Sequence, residues 1–218
     1  MPPKSEHSAA MARTLNHYTR SADGFKEGTW DHDVTQNYQA LLDAIEGEAP
    51  YTILDLGCGP GRDLVYFQSQ GHTPVGLDGS PAFVDMAHAQ TGCEVLHQDF
   101  LSLDLEDQRF DGIFANATLF HVPNAELPRV LKELHASLKP SGVLFSSIPR
   151  LMHSDSDVEE GFSGERFCCY HTWNSWRTYC QDAGFEELHH YYRPEGKPRH
   201  EQPWLASVWR KNHFNEHA

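Results

Sequence analysis

Positive charge is in short supply: among 218 residues, 17 Lys and Arg stand against 31 Asp and Glu, a formal net charge of −14. A field of that sign repels phosphate backbones and anionic lipid surfaces, so nucleic acid and membrane are poor partners. Long apolar runs are also missing. None approaches the ~20 residues of a membrane-spanning helix, and the N-terminus lacks the apolar core of a secretory signal, so a cytoplasmic protein is expected. Cysteine is sparse and odd in number. Cys58, Cys93, Cys168, Cys169 and Cys180 are scattered, which suits reduced thiols better than a disulfide framework. No C-x-x-C pair occurs, and in Cys168-Cys169-Tyr170-His171 neighbouring side chains diverge, so no metal is expected despite 15 histidines.

What is present is an alternation of strand and helix patterns, organised around Ile53–Asp63, ILDLGCGPGRD. An apolar run ends in an acid, glycines follow at 57, 59 and 61, and an amphipathic segment (Leu64, Val65, Phe67) runs to Gly71. This reads as a strand, a tight turn and a helix, with glycine where the backbone must approach something closely. A dinucleotide-binding turn needs G-x-G-x-x-G, but Arg62 takes the place of the last glycine; the G-K-[ST] of a phosphate-binding P-loop is absent as well.

In chain order, residues 1–12 read as a disordered or loose arm. Residues 13–33 are aromatic but aperiodic, and read as a short helix and loop that folds over a site as a lid. Asp33, with Gln36 as its capping-box partner, opens a helix with Val34, Tyr38, Leu41 and Ile45 on its apolar face. Strands are expected at 51–56, 74–77, 93–97, 110–115, 143–147, 185–193 and 203–209. Helices lie between them at 61–70, after Ser80-Pro81, at 125–138 and at 173–183. Residues 150–170, polar and acidic, read as a long irregular insert of functional or mobile character. Residues 212–218 read as a tail. The expected fold is α/β and doubly wound, a single domain with a mostly parallel seven-stranded sheet and one antiparallel edge.

Ligands of such a sheet bind beyond the carboxyl ends of the strands, where Asp55, Asp78, Asp99-Phe100 and Asn116 fall in order. The glycine turn resembles motif I of the class I S-adenosylmethionine-dependent methyltransferases. The resemblance implies that Gly57 and Gly59 lie against the methionine part of the cofactor and that Asp78, with Gly79, accepts from the ribose hydroxyls. It further implies that Asp99 and Phe100 hold the adenine, that Asn116 faces the reacting sulfonium, and that Asp55 braces the turn. Tyr18, Trp30 and Arg62 complete the expected cofactor set.

A closer resemblance spans residues 25–211. EGTWDHDVTQN, GCGPGRDLVYF, GLDGSPAFVDMA, FDGIFANATLFHVP, HYYRPEGKPR and QPWLASVWRK are similar to the methyltransferase domain that closes the ovothiol-biosynthesis enzymes. That domain methylates an imidazole nitrogen of 5-thiohistidine. The likeness implies a stand-alone step acting on a thiol- or selenol-bearing histidine supplied by an upstream enzyme. Catalytic candidates are Asn116 and His121. Acceptor-binding candidates are the guanidinium groups of Arg150, Arg166 and Arg193, the rings of Phe120, Tyr170 and Tyr191, and the polar groups of Asp33, Asn37 and His171. Two other readings are a small-molecule methyltransferase with an unrelated acceptor and a non-catalytic cofactor-binding subunit.

Overall fold

The computed structural model describes residues 4–152 and 156–212. Two N-terminal helices, α1 (Lys4–Arg20) and α2 (Ala22–Thr29), precede α3 (Thr35–Leu42). Then follow β1 (Thr52–Leu56), α4 (Arg62–Ser69), β2 (Thr73–Asp78), α5 (Pro81–Thr91), β3 (Val95–His97) and β4 (Phe110–Asn116). A single 3-10 turn, Leu119–His121, leads to α6 (Leu127–Ser137) and β5 (Leu138–Pro149). The chain closes with β6 (Val158–Ser163), β7 (Arg166–His171), α7 (Trp173–Asp182), β8 (Phe185–Arg193) and β9 (Trp204–Lys211).

Seven strands form one sheet in the order β3-β2-β1-β4-β5-β9-β8. The first five run parallel, and β9 lies antiparallel between β5 and β8. The expected antiparallel edge is therefore displaced one place inward: β9 is internal and β8 is the edge. The sequence shows why, since LASV in β9 is wholly buried whereas FEELHHYYR in β8 is mostly half-exposed. Strand order reverses between β1 and β4, which opens a crevice at their carboxyl ends.

Both faces of the sheet are covered, which is why β1 and β4 are nearly continuous apolar runs. Tyr38 and Leu41 of α3 and Phe67 of α4 pack on Ile53, Phe114 and Phe145 of one face. Leu127, Val130, Leu131 and Leu134 of α6 join Trp176 of α7 and Trp209 on the other. Ser80 caps α5 as its pattern predicts, accepting the Phe83 N–H with Pro81 behind it.

Three expectations need correction. Residues 4–12 of the supposed arm are the first turns of α1, with His7 and Met11 buried; residues 1–3 lie outside the described residues. Met11, Leu15 and Tyr18 stand at i, i+4 and i+7, so the missed signal was a helical stripe crossing the assumed boundary at residue 12. The irregular insert contains a hairpin, β6 against β7, with Gly161 opposite Cys168 and Phe162 opposite Phe167; its residues 153–155 lie outside the described residues. Asp33 does not cap α3 through a capping box. Its Oδ1 accepts the Thr35 N–H at 2.9 Å, and the helix starts one residue late, after Val34. Of the tail, residues 213–218 lie outside the described residues.

Candidate active site

The turn after β1 is held to its neighbours by backbone bonds: Gly57 and Cys58 both donate to the Leu77 carbonyl, at 2.7 and 3.0 Å. Gly57, Gly59 and Gly61 have φ of +73°, +53° and +91°, which L side chains rarely adopt. Gly57 is required sterically too. A Cβ there would meet the Thr118 side chain, with Thr118 Cβ at 2.9 Å. Above the turn opens a cavity of about 570 Å3 lined by Gly57, Gly59, Arg62, Asp78, Gly79, Asp99, Phe100 and Asn116. That size is ordinary for a ligand site.

Beneath the turn lies a cluster of acids. Arg62 pairs with Asp63, Nε to Oδ1 at 2.6 Å and Nη2 to Oδ2 at 3.0 Å, and the Tyr38 hydroxyl donates to Asp63 Oδ1 at 2.5 Å. Asp55 is fully buried, and among the described residues its Oδ2 has no hydrogen-bond partner. Burial, then the Asp63 charge, pushes its carboxyl well above the usual range. Asp78 accepts Gly59 N–H at 3.0 Å and Ser80 N–H at 2.8 Å, yet burial still raises it to about 6. Asp63 is paired with Arg62 and Asp55 is held toward its neutral form, which leaves Asp78 as the carboxylate that the turn presents to the cavity.

The roof is α1 and α2. Leu15 leaves no room for a Cβ on Gly79, and Tyr18, Phe25 and Phe83 form an aromatic cluster at centroid distances of 5.3 to 5.9 Å. The hairpin clamps α1 from outside. Thr14 Oγ1 accepts the Phe167 N–H at 2.8 Å, His17 and Arg20 reach Glu165, and Arg13 stacks on Phe162.

At the other end of the cavity, Asn37 is 1% exposed and donates to Asn116 Oδ1 at 2.9 Å while accepting from the Tyr191 hydroxyl at 2.9 Å. Among the described residues the Asn116 amide nitrogen has no partner and remains for a ligand. Arg193 lines this end with Asp33 and Trp204, its Nη2 donating to the Asp33 carbonyl at 2.9 Å. His121 lines it as well. Its Nδ1 lies 2.6 Å from the Phe167 carbonyl and its Nε2 2.9 Å from the Tyr18 hydroxyl. Burial lowers its pKa to about 4, so it is neutral at neutral pH.

The cavity thus gathers nine of the expected cofactor residues: Tyr18, Gly57, Gly59, Arg62, Asp78, Gly79, Asp99, Phe100 and Asn116. Trp30 does not reach it and lies instead under the Lys26 ammonium, 4.9 Å from the ring centre. Asp55 lies below it. Of the acceptor candidates, Asp33, Asn37 and Arg193 line the cavity, as does the catalytic candidate His121. Arg150 is engaged elsewhere, donating to the Gln202 and Arg199 carbonyls. Phe120 packs behind His121, and His171 is buried between Cys169 and Ser175. Tyr170 packs on the core. Tyr191 reaches the site only through Asn37, and Arg166 only through Tyr18. These misses share a cause: residue type cannot say which layer a side chain occupies. Leu15, Phe25, Phe83 and Trp204 went unforeseen because apolar residues read first as core.

Residues 53–142 match the family model for a methyltransferase domain, and the fold is one found in solved S-adenosylmethionine-dependent methyltransferases. Methyltransferases of this fold use S-adenosylmethionine, and the residues lining the cavity fit it: Asp78 and Asp99 offer carboxylate acceptors of the kind that nucleoside hydroxyl and amino groups need. Trans-aconitate 2-methyltransferase of Deinococcus radiodurans is 34% identical over 133 residues, covering 56% of this chain and 50% of that protein. Malonyl-[acyl-carrier protein] O-methyltransferase of Pseudescherichia vulneris is 29% identical, covering 63% and 57%. The chain spans about half the length of the curated relatives it matches. Burkholderia thailandensis 1,6-didemethyltoxoflavin-N1-methyltransferase, solved with 1,6-didemethyltoxoflavin and S-adenosylhomocysteine, shares the fold with a TM-score of 0.77 at 22% identity, covering 98% of this chain and 92% of that one. Among the described residues no helix is long and apolar enough to cross a membrane.

Proposed function

We propose that this chain transfers a methyl group from S-adenosylmethionine to a ring nitrogen of a small histidine derivative bearing a thiol or selenol, which an earlier reaction must install. The observation that carries the reading is the chemistry of the acceptor end: one guanidinium (Arg193), an unpaired amide nitrogen (Asn116) and a neutral histidine (His121). A guanidinium suits an amino-acid carboxylate, and the amide and aromatic groups suit a flat polar ring. The ring-nitrogen methyltransferase with the same fold and the domain-long likeness to the thiohistidine enzymes support the same class of acceptor.

S-adenosylmethionine supplies a methyl on a positively charged leaving group, so the protein's part is alignment and exclusion of water. A neutral imidazole attacks through a nitrogen that already has a free lone pair, so no side chain has to remove a proton first. Arg193 and the Asn37–Asn116 pair fix the two ends of the acceptor, and α1 with α2 covers it.

The test incubates the protein and cofactor with a panel of histidine thiols and selenols and with small carboxylic acids. The expected product carries its new methyl on ring nitrogen, seen by mass and by a methyl-to-ring-carbon correlation in NMR. Methylation only on carboxylate, sulfur or selenium, or of no histidine derivative, overturns the reading.

A further inference from the structure

The hydrogen bonds around His121 have a direction, and it is set by groups that can act in only one way. The Phe167 carbonyl can only accept, so the hydrogen in the 2.6 Å contact belongs to His121 Nδ1. In the neutral ring Nε2 then carries the lone pair, and the Tyr18 hydroxyl 2.9 Å away must donate to it. Arg166, which also interacts with the Tyr18 hydroxyl, has donors only and meets that oxygen on its lone-pair side. The proton of Tyr18 is therefore committed away from the cavity it lines. To a ligand this oxygen offers a lone pair and nothing else.

The arrangement is fixed from both sides of one residue, Phe167. Thr14, one turn before Tyr18 on α1, accepts the Phe167 N–H at 2.8 Å, while His121 donates to the Phe167 carbonyl. One residue of β7 thus sets α1 in register with the turn after β4, and so places Tyr18 beside His121.

We propose that Tyr18, expected from sequence in the cofactor set, instead serves the acceptor as a specificity-determining residue: its oxygen accepts a hydrogen bond from the ring N–H of the acceptor and so aims the other ring nitrogen, the one with a free lone pair, at the methyl group. This deepens the reading that the acceptor is an imidazole and rests on it. His121 is a positioning residue that acts through Tyr18, in place of the catalytic role expected from sequence. As the nitrogen lone pair forms the new N–C bond, the C–S bond breaks, its electron pair stays on sulfur, and the positive charge passes to the ring. The ring N–H, held at Tyr18, then loses its proton to solvent, giving the neutral N-methylimidazole and S-adenosylhomocysteine.

The experiment has two arms. In the first, nitrogen-15 NMR of histidine-labelled protein, with the signal assigned by its loss in His121→Asn, reads the tautomer of His121. The expected state is neutral with hydrogen on Nδ1; hydrogen on Nε2 overturns the proposal whatever the acceptor proves to be. In the second, Tyr18→Phe is compared with the native protein. The native enzyme is expected to give one N-methyl isomer, and the variant both, with acceptor KM raised about tenfold and S-adenosylhomocysteine affinity within about twofold. A variant that keeps a single isomer overturns the proposal while leaving the N-methylation reading intact. Loss of S-adenosylhomocysteine affinity in equal proportion assigns Tyr18 to closing the pocket and overturns it too. Native protein that turns over no histidine derivative overturns the reading under Proposed function, and the tautomer still decides for or against the direction of the hydrogen bonds.

Discussion

Replacing Asp78 by Asn should move stability and cofactor affinity in opposite directions. Its carboxyl rises from an ordinary 3.8 to about 6 because burial outweighs the N–H groups of Ser80 and Gly59. That gap corresponds to roughly 3 kcal/mol against the ionised form in the fold. The native state binds the proton more tightly than the unfolded chain, so between about pH 4 and 6 it holds more protons. The Asp78 contribution to stability therefore falls as pH rises through that window and stays low above it. Asn never buries the charge. It does turn an amide NH2 toward either Gly59 or Ser80, which leaves one buried N–H unpaired at a cost of about 1–3 kcal/mol. Near pH 7 the two effects leave Asp78→Asn at least as stable as the native protein, by about 0–2 kcal/mol. The advantage should shrink by roughly 3 kcal/mol as pH drops from above 6 to 4, because the native carboxyl then becomes neutral as well. Cofactor binding should weaken by on the order of 2–3 kcal/mol if the carboxylate accepts from two ribose hydroxyls. Calorimetric melting of the ligand-free proteins from pH 4 to 7.5 and titration with S-adenosylhomocysteine at pH 7.5 measure both effects. A variant with unchanged affinity, or with a stability difference independent of pH, refutes the reasoning.

Two further outcomes follow from the geometry. Arg193→Ala should raise the acceptor KM by about tenfold, the loss of one charged hydrogen-bonding partner, whereas Arg150→Ala should leave it unchanged because Arg150 is occupied by backbone carbonyls; steady-state kinetics with a histidine acceptor separates them. Hydrogen exchange in α1 and α2 should slow when S-adenosylhomocysteine is added, and in the β6–β7 hairpin with them, since Thr14, His17 and Arg20 tie α1 to it. Equal exchange with and without ligand counts against a lid.

Most of the fold was legible in the sequence because its central strands are buried on both faces and its helices carry clean apolar stripes. The glycine turn and the acids at successive strand ends led to nine residues that line one cavity. The acceptor end was not legible in the same way. Arg150, Arg166 and Arg193 are chemically alike, and only the paths of β5, β7 and β8 decide that Arg193 lines the cavity. The bonding of His121 was hidden because its partners, Tyr18 and the Phe167 carbonyl, are 103 and 46 residues away in the chain. Residues 139–142, between the expected helix at 125–138 and strand at 143–147, also take a course visible only in register: Phe110 pairs with Leu138 and Gly112 with Val143, so they form a bulge in one long strand.

The internal position of β9 has a consequence for how the protein must be made. Until residues 204–211 leave the ribosome, β5 keeps an open edge from Val143 to Pro149, whose partners are Arg210 to Trp204. β8 is synthesised earlier, but it attaches to the sheet through β9 and must wait unpaired. A nascent chain therefore carries two unsatisfied strands, one of them mostly buried in the finished fold, until β9 emerges. Such edges recruit other chains, and a ribosome stalled or terminated just before Trp204 releases a product prepared to aggregate, with its glycine turn already made and its sheet unfinished.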